Sequence, residues 1–203
     1  QHLRDAVAQP KIDAYGGRLV KTTGDGFLVE FASATDALCC ALDIQRDLTA
    51  REAERSTDDR MRLRIGINVG DIIVDGDDIA GDGVNIAARL ETLALPGGIC
   101  ISGTVREQIH DDLGIVLSDL GPQKLKNITR EVRAFAVTPT SGTVETRGDT
   151  HGPHTAFANA RHTAAQLRQD TSAPSIAVLP FVNLGDDENE YFADGLAEEL
   201  LNV

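Results

Sequence analysis

Lys21-Thr-Thr-Gly-Asp-Gly-Phe-Leu-Val-Glu-Phe31 sets an Asp25-Gly26 step between two short strand-like runs, Arg18 to Thr22 and Phe27 to Phe31. Asp-Gly in that setting is a strong tight-turn signal, because both residues tolerate the positive φ angles that hairpin turns require. The stretch reads as two antiparallel strands with Asp25 at their tip. Flanking glycines keep the backbone uncrowded there, so a polyphosphate and its hard cation could approach the carboxylate. Turn chemistry alone also accounts for Asp-Gly, and at this level both readings stand.

Upstream of the hairpin, Leu3, Val7 and Ile12 follow helical spacing across His2 to Tyr15, interrupted by Pro10 and closed by Gly16-Gly17. Downstream, Ser33 is a plausible N-cap with Asp36 three residues on. Ala37, Leu38, Ala41, Leu42, Ile44 and Leu48 then carry one apolar face into the charged run Arg51 to Arg60. Leu63, Ile65, Ile67 and Val69 alternate as in a half-buried strand, and Ile72 to Val74 precede an acidic turn at Asp75 to Asp78. Val84 to Leu95 has a helical pattern ended by Pro96-Gly97-Gly98. Ile99 to Ser102 reads as a strand, Thr104 to His110 as a short helix, and Ile115 to Leu120 and Val132 to Val137 as late strands. Strands alternating with helices predict an α/β or α+β sandwich.

The apolar pattern disappears after Thr138 into Thr, Ser, Gly, Asp, Arg and His, the composition of a flexible linker. His151, His154 and His162 lie in it at spacings that fit no metal-ligand motif. Ser175 to Phe181 returns to strand-like composition, and Glu190 to Leu201 to a helical one. A chain of 203 residues with 41% hydrophobic content can bury one good core with sequence left over for such a tail. The net charge of -13 argues against nucleic-acid or anionic-membrane partners, which call for a basic surface. Cys39, Cys40 and Cys100 make an odd count without CxxC spacing, so they read as reduced core residues in a cytoplasmic setting. No stretch has the length of a transmembrane helix, so membrane contact is not expected within the chain. Gln1 in place of Met, and an ending inside a helical pattern, lead to the expectation that both ends are cut.

A second polar constellation is Asp78-Ile-Ala-Gly-Asp-Gly-Val-Asn-Ile-Ala-Ala-Arg-Leu-Glu91. Asn85 and Arg89, four apart on a helix, share one face. An amide that can hold a sugar beside a guanidinium that can neutralise phosphate charge suits phosphoryl chemistry, though an exposed polar stripe with an Arg89 to Glu91 surface charge would look the same. Two look-alikes fail. Gly81-Asp-Gly83 has Ile86 where a dinucleotide fingerprint needs a small residue, and the Asp75, Asp77 run has Ile79 where a calcium loop needs Asp or Asn.

In this order and spacing, the two segments resemble the class III nucleotidyl cyclases, most closely the bacterial adenylate cyclases, from about Arg4 to Val137. The resemblance implies the α+β, ferredoxin-like or palm-type sandwich of that family over residues 1–138, followed by a linker over 139–173. Residues 174–203 resemble the opening of a TolB-like amino-terminal domain, in Ile176-Ala-Val-Leu-Pro-Phe-Val-Asn-Leu and Tyr191-Phe-Ala-Asp-Gly-Leu. The implied activity is conversion of ATP to cyclic AMP. Asp25 matches one of two aspartates that hold a pair of Mg²⁺ or Mn²⁺ ions. Lys21 and Asp78 match the base-selecting pair, Asn85 the ribose-orienting amide, Arg89 the arginine that stabilises the transition state, and Lys126, in Leu125-Lys-Asn127, the lysine on the phosphates. Adenine fits Lys21 with Asp78, since its N1 accepts a hydrogen bond and its exocyclic amine donates one, whereas guanine reverses both. The resemblance also implies a head-to-tail homodimer, or pairing with a related cyclase subunit, in which each active site takes its metal aspartates from one subunit and its other residues from the partner.

One departure stands out. The family's first metal aspartate ends a strand that precedes the helix near Leu3, and no residue of this chain matches it. Asp5 and Asp13 are poor substitutes. The expectation is a sheet short of a core strand, whose neighbours lose hydrogen bonds, and a chain with little or no activity alone. A dimerising or nucleotide-sensing module without catalysis is the alternative reading.

Overall fold

The structure is a computed structural model that describes residues 4–23, 26–53, 55, 60–110, 113–139, 175–179 and 181–182. A π-helical turn, Arg4–Ala8, runs into α1, Gln9–Ala14, with Pro10 in the first turn of α1. Proline has no N–H to donate, so it sits where the helix changes pitch, and the expected interruption is a join between two helical forms. Gly16, at φ 68, turns the chain out of the helix. At Gly17 a Cβ would lie 2.6 Å from the Phe31 ring, so only glycine lets α1 fold back over the hairpin.

The hairpin follows as β1, Arg18–Thr23, and β2, Gly26–Phe31. Thr23 pairs with Gly26, which leaves residues 24 and 25 as a two-residue connection lying outside the described residues. α2, Ala34–Glu52, starts at Ser33, whose hydroxyl accepts from the Asp36 N–H at 3.3 Å, as its N-cap chemistry predicts. There follow β3 (Arg62–Leu63), β4 (Ile65–Val69), β5 (Ile73–Asp75) and β6 (Asp78–Ala80). Next come α3 (Asp82–Leu93), β7 (Ile99–Ser102), α4 (Gly103–Gln108), β8 (Ile115–Gln123) and β9 (Val132–Pro139). The last described elements are β10 (Ser175–Leu179) and β11 (Phe181–Val182).

Seven strands form one sheet in the order β1-β2-β10-β4-β7-β9-β8, antiparallel throughout except for β4 with β7. The period-two alternation of the strands sorts side chains to two faces. Phe27, Val29, Phe31, Ile65, Ile67, Ile99 and Ile101 join residues of α1, α2 and α4 in one core cluster. Leu28 and Cys100 point the other way and pack in two clusters with residues of α3. At Gly66 a Cβ would stand 2.1 Å from the Ala87 carbonyl oxygen, so α3 lies with its backbone against β4. The result is a mixed α/β sandwich, as the sequence predicts.

Several expectations need correction. β4 is buried along its whole length, not half-buried, because helices cover both faces. α3 begins two residues earlier than its apolar pattern, at Asp82, and β6 completes a β5–β6 ribbon that the acidic turn concealed. Most important, the neighbours of the expected gap in the sheet are paired: β10 hydrogen-bonds to β2 on one side and β4 on the other. Within residues 174–203, the described strands β10 and β11 pair with strands of residues 4–139. The expected helix at Glu190 to Leu201, the three histidines and nearly all of the expected linker lie outside the described residues.

Candidate functional site

A bulge in β1 builds the first part of the site. Leu19 pairs with Val29, but Lys21 pairs with Leu28, so Val20 and Lys21 share one partner. Directly opposed residues lie on the same face of a sheet, and Leu28 packs among residues of α3 and β6. The bulge therefore lets Val20 join that cluster while Lys21, next along, also faces the α3 side. There Lys21 Nζ donates to Asp78 Oδ2 at 2.7 Å. The second Asp78 oxygen accepts from the Ile79 N–H at 2.7 Å. The Lys21 hydrogen bond holds the Asp78 carboxyl below the usual carboxylate range, so the side chain is an acceptor without a proton at neutral pH.

Asp78 opens β6, and its position depends on the β5–β6 ribbon. Arg18 fixes that ribbon from the hairpin side: it pairs with Glu30, opposite it in the strand register, at 2.7 Å and donates to the Asp77 carbonyl at 3.1 Å. Ile79, immediately after Asp78, is buried with Val84 and Ala88 of α3. The Lys21 and Asp78 pair thus sits against the helix that carries Asn85 and Arg89.

The start of α3 is held by Gly81, at φ 119, and by Asn68 of β4, whose side-chain amide donates to the Gly83 carbonyl at 3.0 Å. One turn in, Asn85 is half-buried, and a turn further Arg89 is 8% exposed. Arg89 Nη2 is buried without a hydrogen-bond partner. A buried guanidinium nitrogen left unpaired is costly, and an anion or a water reaching it would satisfy it. The expected Arg89 to Glu91 surface charge is not what the helix shows. Glu91 is buried and takes Arg64 Nε at 2.7 Å.

Lys126 is exposed in the connection between β8 and β9. Leu125, beside it, packs with Ile86 and Leu90 of α3, which ties this connection to the helix bearing Arg89. Asp25 lies outside the described residues, and among the described residues no three His, Cys, Asp or Glu side chains converge to hold a metal. β10 and β11, which run beside β2 and β3, contain no Asp or Glu. The described residues therefore do not make up a two-cation set. They do bring Lys21 and Asp78 together and place both against α3.

Sequence reasoning missed the bulge at Val20, the Arg18 tether and the Asn68 clamp. The Arg18 and Glu30 pair was hidden with the bulge, since a regular two-residue turn would set Arg18 opposite Phe31, and the bulge is what shifts it to Glu30. The bulge leaves no mark in the composition.

The chain matches the family model described as "Adenylate and Guanylate cyclase catalytic domain" over residues 5–151. It is 41% identical over 196 residues to "Putative adenylate cyclase 3" of Rhizobium meliloti (strain 1021), which takes in 96% of this chain and 31% of that protein. Its structure is similar to the crystal structure of "Adenylate/Guanylate Cyclase/Hydrolase from Silicibacter pomeroyi", with 45% identity and a TM-score of 0.65, over 69% of this chain and 83% of the other. The adenylyl cyclase CyaB from P. aeruginosa shares the fold at 24% identity and a TM-score of 0.55, over 68% of this chain and 82% of the other. The chain spans 31% to 32% of the length of the first curated relatives it matches. Among the described residues no helix is long and apolar enough to cross a membrane.

Proposed function

Because this chain belongs to the adenylate and guanylate cyclase catalytic domain family, we propose that it serves cyclic-nucleotide signal transduction by converting ATP to 3′,5′-cyclic AMP and pyrophosphate. The Lys21 and Asp78 ion pair carries the choice of ATP. Lys21 is a donor for adenine N1, and Asp78, held deprotonated, is an acceptor for the exocyclic amine. Guanine would meet a donor with a donor and an acceptor with an acceptor. Asn85 orients the ribose so that its 3′-hydroxyl faces the α-phosphorus, and Arg89 takes the charge that builds on the phosphoryl oxygens during in-line attack. The unpartnered Arg89 Nη2 supports that role, because the donor is already in place and need not break a protein bond first. Lys126 neutralises the phosphate tail. Cytoplasmic ATP is the substrate in this reading.

The reading includes a head-to-tail homodimer, or a related cyclase subunit, with Asp25 of one chain facing Lys21, Asp78, Asn85 and Arg89 of the other. The Mg²⁺ or Mn²⁺ pair of the resemblance would need Asp25 and a second aspartate that residues 1–203 do not supply, so this stretch alone is expected to turn over little nucleotide. The TolB-like character of the tail rests on its sequence run alone.

The test compares ATP and GTP turnover in a form of the protein that supplies the second aspartate. ATP should be preferred, Lys21→Ala should narrow that preference, and Arg89→Ala should lower turnover by about 10²- to 10³-fold with dimerisation intact. Preferred GTP turnover would overturn the base assignment, and undiminished turnover in Arg89→Ala the role of the arginine. The second reading is a dimerising module that binds nucleotide without reaction. Titration calorimetry with ATP beside a cyclic AMP assay separates the two: binding with no product in that same form supports the second.

A further inference from the structure

α3 rests on β4 along one stripe of its own backbone, and strand alternation turns Gly66, Asn68 and Gly70, the last just past the end of β4, toward that stripe. A Cβ at Gly66 would stand 2.1 Å from the Ala87 carbonyl oxygen and 2.4 Å from the Glu91 nitrogen, and one at Gly70 would stand 3.3 Å from Gly83 Cα. The positions they meet, Gly83, Ala87 and Glu91, recur at the four-residue spacing of a single helix stripe. Glycines at 66 and 70 let backbone meet backbone, but they present nothing that would stop a helix from sliding or turning on them. Asn68 is the member of the three with a side chain. It is 2% exposed, and its amide donates to the Gly83 carbonyl at 3.0 Å. A carbonyl only accepts, so the amide must meet it nitrogen first, which leaves Asn68 Oδ1 facing the Thr104 hydroxyl. That hydroxyl, in the first turn of α4, lies 3.4 Å from Asn68 Oδ1 and 3.1 Å from the Val69 carbonyl, with the Ser102 hydroxyl 2.7 Å behind it.

We propose that Asn68, braced by Thr104, is a positioning residue: it pins α3 along and around its axis, and through the helix it sets the place of Asn85 and Arg89. Gly83 lies in the first turn of α3, two residues before Asn85, so a slip or turn at Gly83 carries both side chains with it. Asn68 is buried beneath the helix and acts only through it. The Lys21 and Asp78 pair is held separately, by its own ion pair between β1 and β6 and by the Arg18 tether. Base recognition then depends on the hairpin and the ribbon, and the handling of phosphate charge on the pin. Control of turnover through Arg89 rests on the cyclase reading; the pinning of the helix does not.

Amide NMR on the full chain tests the pin without reference to activity. Asn68→Ala should shift the amide resonances of α3 as far as Arg89 and speed their hydrogen exchange by about tenfold, while the β8–β9 pair stays unchanged. Thr104→Val, which removes the brace, should move the same resonances less far, and Thr104→Ser, which keeps the hydroxyl, should restore them. Changes confined to residues 68 and 83, or none in α3, would overturn the proposal. If Asn68→Ala does not fold, the two Thr104 variants decide. In the form of the protein that supplies the second aspartate, Asn68→Ala should lower kcat by about 10²-fold, with KM for ATP near its unsubstituted value. Arg89→Ala added to Asn68→Ala should then cost far less than it does alone, because the arginine is already out of place. Losses that simply multiply would overturn the positioning role. Resonances that move along α3, with no cyclic AMP formed by any form, would leave the pin standing and sink the cyclase reading instead.

Discussion

Asp78 owes its low proton affinity first to Lys21, with the Ile79 N–H adding to it, and that makes the lysine testable. The Lys21 ammonium stabilises the charged carboxylate, so the folded-state pKa falls below the ordinary value of 3.8. The sign follows directly: the pair adds stability above the ordinary carboxylate range and loses it as pH falls through the lower folded value. A carboxyl-carbon NMR titration should find the Asp78 midpoint below 3.8, and Lys21→Ala should move it back up. The cysteines respond in the opposite direction. Burial pushes the Cys100 thiol up to about 11 and the Cys40 thiol higher still, so thiolate is scarce near neutral pH. All three cysteines are buried, and maleimide at pH 8 should label none of them in the native protein within the time that labels all three in denaturant. Glu91 is a third case. Buried beside Arg64, it leaves an uncompensated cation when removed, so Glu91→Ala should cost about 3 kcal/mol in a denaturant titration. The double variant Glu91→Ala with Arg64→Ala should cost less than the sum of the two single changes.

At the scale of elements, α3 is the part on which most of the site depends, and its seat is one glycine wide. A methyl group at Gly66 would meet the Ala87 carbonyl oxygen and the Glu91 nitrogen, both backbone atoms that a rotamer change cannot move. Gly66→Ala should therefore destabilise the fold by about 3 kcal/mol, and should also weaken nucleotide binding by shifting Asn85 and Arg89, as calorimetry beside a thermal melt would show. The helices and hairpins were legible in the sequence because their signals are local. Ser33 with Asp36 starts α2, the Gly24-Asp25-Gly26 run marks the step from β1 to β2, though Gly26 itself already pairs in β2, and Asn85 with Arg89 shares a face at spacing four. What local pattern could not show was pairing over long separations. Nothing in Ser175 to Leu179 says that its partners are Phe27 to Phe31 and Gly66 to Val69, and the sheet order had to come from the structure. For the same reason Lys21 and Asp78 were nameable as a pair by resemblance, while the Val20 bulge and the Arg18 tether that make them meet were not.

Lys21 and Asp78 pair beside α3, the helix that carries Asn85 and Arg89, whereas Asp25 falls between β1 and β2 in the chain, outside the described residues. If the active site is shared between two chains in head-to-tail fashion, these two sets act in different subunits, and defects in them should complement. In the form of the protein that supplies the second aspartate, Asp25→Ala and Arg89→Ala homodimers should each be inactive, one lacking a cation ligand in both sites and the other a transition-state donor in both. Mixing the two and allowing exchange places both defects in one site of each heterodimer and leaves its other site whole. Random pairing makes about half of the dimers mixed, each with one working site of two, so activity should recover to about a quarter of the unsubstituted value. A site contained within one chain allows no such recovery, since every site would then carry one lesion or the other.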